Sequence, residues 1–185
     1  GSGSRFSERG FSLPKPLIPI NDKPFFYWAT ESVNKFVNVK SLTFVVLQEH
    51  IDKFSIDKEI YNYYPNAEIV VLDHVLDGAV LTCLEGVKNI TDNLPILFND
   101  CDHIFTCKKF YDFCNHGDFT TMDGALLTFE STDPKFSFLQ LDENGNVTKT
   151  VEKEAVSNQA ICGAYYFSNK KMFTTHVKTY LTQCV

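Results

Sequence analysis

The segment Asn99-Asp100-Cys101-Asp102-His103 follows the short apolar run Pro95–Phe98. Carboxylates just past the end of a strand sit where open α/β sheets bind ligands. Hard carboxylate oxygens from Asp100 and Asp102 there suit Mg²⁺ bridging phosphates. An acidic loop cap on a strand is the plainer reading. His103 reads as a hydrogen-bonding neighbour, because Mg²⁺ prefers oxygen.

Four other groupings offer complementary chemistry. The chain opens Gly1-Ser2-Gly3-Ser4-Arg5. Glycines let backbone N–H groups close on phosphate oxygens, and Arg5 could neutralise charge on a leaving pyrophosphate. The same string also reads as a flexible linker. Lys15 stands between Pro14 and Pro16. The prolines stiffen its backbone, which suits contact with an α-phosphate; a surface lysine in a proline-rich loop is the alternative. Glu152-Lys153 ends an apparent strand and could meet an acceptor phosphate, although surface Glu-Lys pairs are common. Gly163 interrupts a later strand, a mark of close backbone approach on the acceptor side. Asp77-Gly78-Ala79 opens a helix, where small residues leave room for a base to be read by backbone groups, or form an ordinary helix start.

The surrounding pattern supplies elements to hold these groups. Residues 1–21 read as loop. A helix follows Pro24, from Phe25 to about Phe36. Strands are expected at Leu42–Leu47, Glu68–Leu72 and Ile96–Asn99, with helices near Ile56–Tyr63, Ala79–Asn89 and Lys108–Asn115. Strands then dominate: Gly124–Phe129, Phe136–Leu141, Val147–Glu152 and Ala160–Phe167, with a hairpin signal at Glu143-Asn144-Gly145-Asn146. A last helix spans about Asn169–Leu181. Alternation in the first half and strands in the second predict a three-layer α/β/α sandwich around a mixed, mostly parallel sheet.

Composition narrows the partners. The 185 residues suffice for one domain with a full core. A net charge of −6 argues against nucleic acid or an anionic membrane. No apolar run reaches the roughly 18 residues of a membrane span, and no secretory leader is evident. The six cysteines include no C-x-x-C pair, so free thiols in a reducing cytoplasm are expected. The two arginines, Arg5 and Arg9, lie near Lys15 and Lys23, a local basic segment suited to a small polyanion.

Taken in order, GSGSRF, LPKPLIPINDKPF, the Asp77-Gly78-Ala79 turn, PILFNDCDH, DGALLTFESTDPKFSFLQLDENGNV, VEK and AICGAYYF resemble the sugar-phosphate nucleotidyltransferase family of GT-A type, capsule-biosynthesis cytidylyltransferases among them. The resemblance implies a Rossmann-like domain over 1–185. It also implies a strand before the glycine loop and a C-terminal stretch with a second metal-binding aspartate, both absent from these residues, so the domain is expected to be incomplete at both ends. By the same resemblance, Gly1, Ser2, Gly3, Ser4 and Arg5 form the triphosphate loop and Lys15 meets the α-phosphate. Gly78 and Ala79 read the base, and Asp102 holds Mg²⁺. Glu152, Lys153 and Gly163 face the acceptor. The implied partners are an NTP, CTP ahead of UTP, and a phosphorylated small molecule such as a sugar 1-phosphate or phosphoglutamine; a homo-oligomer is also implied. Two rivals stay open: a GT-A glycosyltransferase using Asp100-Cys101-Asp102 as a D-x-D metal site, and a non-catalytic nucleotide-binding domain.

Overall fold

The computed structural model describes residues 12–117 and 122–183. After a 3₁₀ turn at Lys15–Leu17 comes a two-residue hairpin, β1 (Pro19–Ile20) and β2 (Lys23–Pro24). Asn21 and Asp22 between them both have positive φ, 46° and 60°, which is the twist of a primed hairpin turn. Helix α1 (Phe25–Asn34) starts directly after Pro24, whose φ of −66° is ready-made for a helix entry. It buries Phe26, Ala29, Ser32 and Val33, one face at helical spacing.

Strand β3 (Thr43–Leu47) pairs in parallel with β4 (Glu68–Leu72), and helices α2 (Gln48–Phe54) and α3 (Ile56–Tyr63) make the crossover. Ser55, at φ 52°, joins the two helices in a left-handed conformation. Helix α4 (Ala79–Gly86) leads to β5 (Ile96–Asn99), and α5 (Lys108–His116) follows. Then come β6 (Gly124–Glu130), β7 (Ser137–Leu141), β8 (Val147–Glu152), β9 (Gln159–Phe167) and helix α6 (Lys170–Gln183).

β5 to β9 form one five-stranded sheet in which β9 pairs with β5, β6 and β7, and β7 also pairs with β8. Every pairing in that sheet is antiparallel. The sheet system is mixed, as expected, but parallel pairing among the described strands is confined to β3 and β4. For β7 and β8 the reason is a short connection: the tight Asp142–Asn146 turn joins them, which only an antiparallel pair permits.

Three layers follow from strand alternation. Ile96 and Phe98 of β5, with Phe167 of β9, pack against Val87, Phe173 and Val177 on the α4 and α6 side. Leu97 of β5 and Cys162 and Ala164 of β9 face the other way, onto Phe110 and Tyr111 of α5. β3 is covered likewise: Val46 packs with Phe26, Ile56 and Ile60 of α1 and α3, while Val45 lies against Gly86 of α4. Helices α1 and α4 therefore each touch both sheets, since Asn99 Nδ2 of β5 donates to Ala29 O of α1 at 2.9 Å and Val87 after α4 packs on Ile96. Among the described residues, no helix is long and apolar enough to cross a membrane.

Candidate active site

β5 ends at Asn99, and the chain turns at once: Asp100 N–H donates to Gly163 O of β9 at 2.9 Å, and His103 N–H to Asp100 O at 3.4 Å. By parity along the strands, Asp100 and Gly163 lie on the α4 face of the sheet. The loop beyond is anchored to the helices of the opposite face. Phe105 N–H donates to Ser32 Oγ of α1 at 3.1 Å, Ser32 Oγ–H to Trp28 O at 3.0 Å, and Tyr111 O–H of α5 to Phe105 O at 3.1 Å. Ser32 is buried, so this tether is shielded from water.

Within the loop, Asp100, Asp102 and His103 each bring a ligand atom within 4.8 Å of the other two. Lys15, from the 3₁₀ turn far back in the chain, forms an ion pair with Asp102. His103 Nδ1 is buried without a hydrogen-bond partner and lies 3.9 Å from Asp100 Oδ2. Both groups crowd onto Gly163, whose φ of +59° is a glycine conformation. A Cβ added there would overlap His103 Nδ1 and stand 2.7 Å from Asp100 Oδ2. The glycine makes the floor on which these side chains rest.

Electrostatics follow from that crowding. Burial raises the Asp100 carboxyl above its usual range; the charge of Asp102 pushes the same way, and His103 and Lys15 oppose it. Cys83, one turn into α4, has its thiol pushed up to about 11 by burial, with the Asp100 charge adding. Tyr165 of β9 is raised to about 12 for the same reasons. The residues present fit a divalent cation: two hard carboxylates converge, and an orphaned ring nitrogen points into the same space.

The remaining candidates among the described residues are Gly78, Ala79, Glu152 and Lys153. Gly78 is the residue before α4, with φ 111° and open space where a Cβ would be, and Ala79 is exposed beside it. Cys83, on which the Asp100 charge acts, lies one helical turn beyond Ala79 on the same helix. Lys153 follows β8 in a left-handed conformation, φ 56°, and its N–H donates to Phe136 O at 3.0 Å. Its ammonium is paired with Glu152 at 2.7 Å, and both side chains are exposed. The register, Phe138 opposite Ala160 and Asn99 opposite Ala164, puts Phe136 and Lys153 at the same end of the sheet as Gly163. β8 lies two strands from β9, about 10 Å at ordinary strand spacing. Gly1, Ser2, Gly3, Ser4 and Arg5 lie outside the described residues.

A family model for nucleotidyl transferases matches residues 1–184. The chain belongs to the nucleotidyl transferase family. The fold of this nucleotidyl transferase is shared by solved structures of low identity. One is a nucleoside-diphosphate-sugar pyrophosphorylase from Vibrio cholerae RC9, with TM-score 0.79 and 20% identity over 98% of this chain and 75% of that one. Another is the inositol-1-phosphate CTP transferase from T. maritima, with TM-score 0.76 and 17% identity over 94% and 69%. No curated protein matches by sequence.

Three residues around this candidate site carry more than a reading of the sequence gives them. Ser32 looks like an ordinary mid-helix serine; its role is set by a loop distant in the chain. Cys83 carries a signal, since it lies one turn beyond Ala79 and so on the same helix face. His103 reads as a hydrogen-bonding neighbour, yet its Nδ1 makes no hydrogen bond and lies 3.9 Å from the Asp100 carboxylate.

Proposed function

We propose that this nucleotidyl transferase moves the NMP portion of an NTP to a phosphorylated small-molecule acceptor and releases pyrophosphate. The carrying observation is the Lys15–Asp102 ion pair, which unites the proline-framed lysine with the strand-end carboxylate. An anionic oxygen of the acceptor phosphate attacks the α-phosphorus in line. The bond from that phosphorus to the bridging oxygen of the β-phosphate breaks, and pyrophosphate leaves with the electron pair. No general base is needed, because the attacking oxygen already carries charge. Such transfer needs positioning and charge neutralisation above all.

Lys15 sits where it can exchange Asp102 for the α-phosphate, and Arg5 is assigned to the leaving pyrophosphate. Lys153, steadied by Glu152, holds the acceptor phosphate, and Gly163 keeps the acceptor side free of a side chain. A divalent cation held by Asp102, Mg²⁺ being the usual escort of a nucleotide, supplies neutralisation of the phosphate oxygens. Asp100 lies on the nucleotide side of the cluster. The small Gly78-Ala79 pair, lacking a glutamine, leaves few side-chain handles on a base, and a pyrimidine is assigned there, CTP ahead of UTP. The acceptor is a sugar 1-phosphate or a similar phosphate ester or amide such as phosphoglutamine, and the reaction belongs in the cytoplasm, where NTPs are abundant.

Pyrophosphate release measured with four NTPs against sugar 1-phosphates and phosphoglutamine tests this directly. CTP with one such acceptor should give stoichiometric pyrophosphate. Release of UDP from a nucleotide sugar instead would establish the D-x-D glycosyltransferase. NTP binding without turnover across the panel would leave a non-catalytic domain.

A further inference from the structure

We propose that His103 Nδ1 is the third protein ligand of a divalent cation shared with Asp100 and Asp102, and that this nitrogen makes the site favour Mn²⁺ over Mg²⁺. The inference rests on the reading of the site given above and deepens it by naming the cation class.

Three observations carry it. The first is geometric. Ligand atoms of Asp100, Asp102 and His103 lie within 4.8 Å of one another. Around a cation with bonds of about 2.1 Å, octahedral neighbours stand about 3 Å apart and opposed ligands about 4.2 Å. The 3.9 Å between His103 Nδ1 and Asp100 Oδ2 falls inside that span.

The second is an unmet demand. His103 Nδ1 is buried without a hydrogen bond, and a buried polar atom left unpaired costs free energy. At 3.9 Å the Asp100 carboxylate is too far to serve as a hydrogen-bond acceptor. A cation between the two would satisfy the ring nitrogen and both carboxylates at once.

The third is the floor. Gly163 makes room for the imidazole, since a Cβ there would occupy the space of Nδ1 itself. The ring is therefore seated by the β9 backbone, held in place rather than swung out into water.

The choice of cation follows from ligand chemistry. Mg²⁺ accepts oxygen ligands and gives up its waters reluctantly, so an imidazole adds little to its binding. Imidazole adds more to a first-row divalent cation than to Mg²⁺, and Mn²⁺, at the oxygen-preferring end of that row, takes the two carboxylates as Mg²⁺ does. One nitrogen beside two carboxylates thus shifts the balance toward Mn²⁺ without excluding Mg²⁺.

The test uses this chain without nucleotide. Mn²⁺ is titrated and its free signal read by electron paramagnetic resonance, with Mg²⁺ competition giving the second affinity. Pulsed resonance on the Mn²⁺-loaded protein reads nitrogen coupling directly and needs no variant. A directly bound imidazole nitrogen should appear in the native chain and vanish in His103→Asn. That substitution should weaken Mn²⁺ about ten-fold or more while leaving Mg²⁺ within about two-fold. Mn²⁺ binding with no nitrogen coupling, or equal losses for both metals in His103→Asn, would overturn the proposal and leave nucleotidyl transfer standing. Unchanged binding of both metals in Asp102→Asn would remove the carboxylate site itself, and the proposed reaction with it.

Discussion

Lys15 and Asp102 neutralise one another in the absence of substrate, and this pairing has two opposite consequences for the same side chain. In turnover the lysine is needed by phosphate, so its loss removes charge stabilisation available in the transition state. Lys15→Met should lower the rate of pyrophosphate release about 10²- to 10³-fold, measured under saturating NTP. In cation binding without nucleotide the lysine is a competitor for Asp102. A partly exposed ion pair is worth up to about 1 kcal/mol, so the same variant should tighten Mn²⁺ about three- to five-fold in calorimetric titration. Loosened binding together with lost turnover would mean that Lys15 supports the carboxylate and does not vie with the metal. Lys153 stands apart on the exposed end of β8 beside Glu152. Lys153→Ala should raise KM for the acceptor about ten-fold with little change in KM for the NTP. An equal rise in both would assign Lys153 to the triphosphate.

Elements matter through what they hold still. The loop from Asp100 to Phe105 carries the cluster, and its far end is fastened to α1 by one hydroxyl, Ser32 Oγ. Ser32→Ala strands a shielded N–H at Phe105, so unfolding in urea should show a loss of about 1–2 kcal/mol with an unchanged m-value. Mn²⁺ affinity should fall alongside, because the ligand loop loses its anchor; a stability loss with intact metal affinity would make Ser32 a packing residue only. How legible such features are from sequence depends on their range. β4, β5 and β8 are readable to the residue, because short apolar or alternating runs bounded by turn residues are local signals. Gly78 before α4, Asp102 in the loop after β5 and Gly163 within β9 likewise stand where local patterns put them. Helix α2 is not, since it buries no residue fully and begins without a side-chain cap; its cue is the Glu49–Lys53 pair one turn apart. The β1–β2 hairpin is hidden because Asn21-Asp22 reaches positive φ without the glycine that usually marks such a turn. Helix α4 stops at Gly86, short of the periodic pattern, where Val87 N–H closes on Cys83 O. The meeting of Lys15 with Asp102 and the burial of His103 Nδ1 depend on chain crossings that no local pattern encodes.

At the scale of the whole molecule, thiols become a probe of folding. The five described cysteines are free. Burial holds Cys83 and Cys114 at about 11, against an ordinary value of 9.0. The folded chain therefore keeps these protons at a pH where the unfolded chain has begun to lose them. With more protons bound to the native state, stability must fall as pH rises through that interval. The contribution is fully present below pH 9.0 and is lost as pH approaches about 11. Tyr165, raised to about 12, extends the same trend at its upper end. Thermal melting followed from pH 8 to pH 11, with a reductant present, should show Tm constant at first and then declining (about these bounds, set by the ordinary thiol range). Replacing Cys83 and Cys114 together by alanine removes two of the titrating groups, so the decline should become shallower even though the neutral-pH Tm drops from lost packing. An equally steep decline in that double variant would assign the alkaline loss to the remaining raised groups, Cys101, Cys162 and the tyrosines, instead. The two thiols sit on different faces of the same sheet, Cys83 on α4 and Cys114 on α5. A shared response to both would show the two outer layers unfolding as one cooperative unit with the site between them.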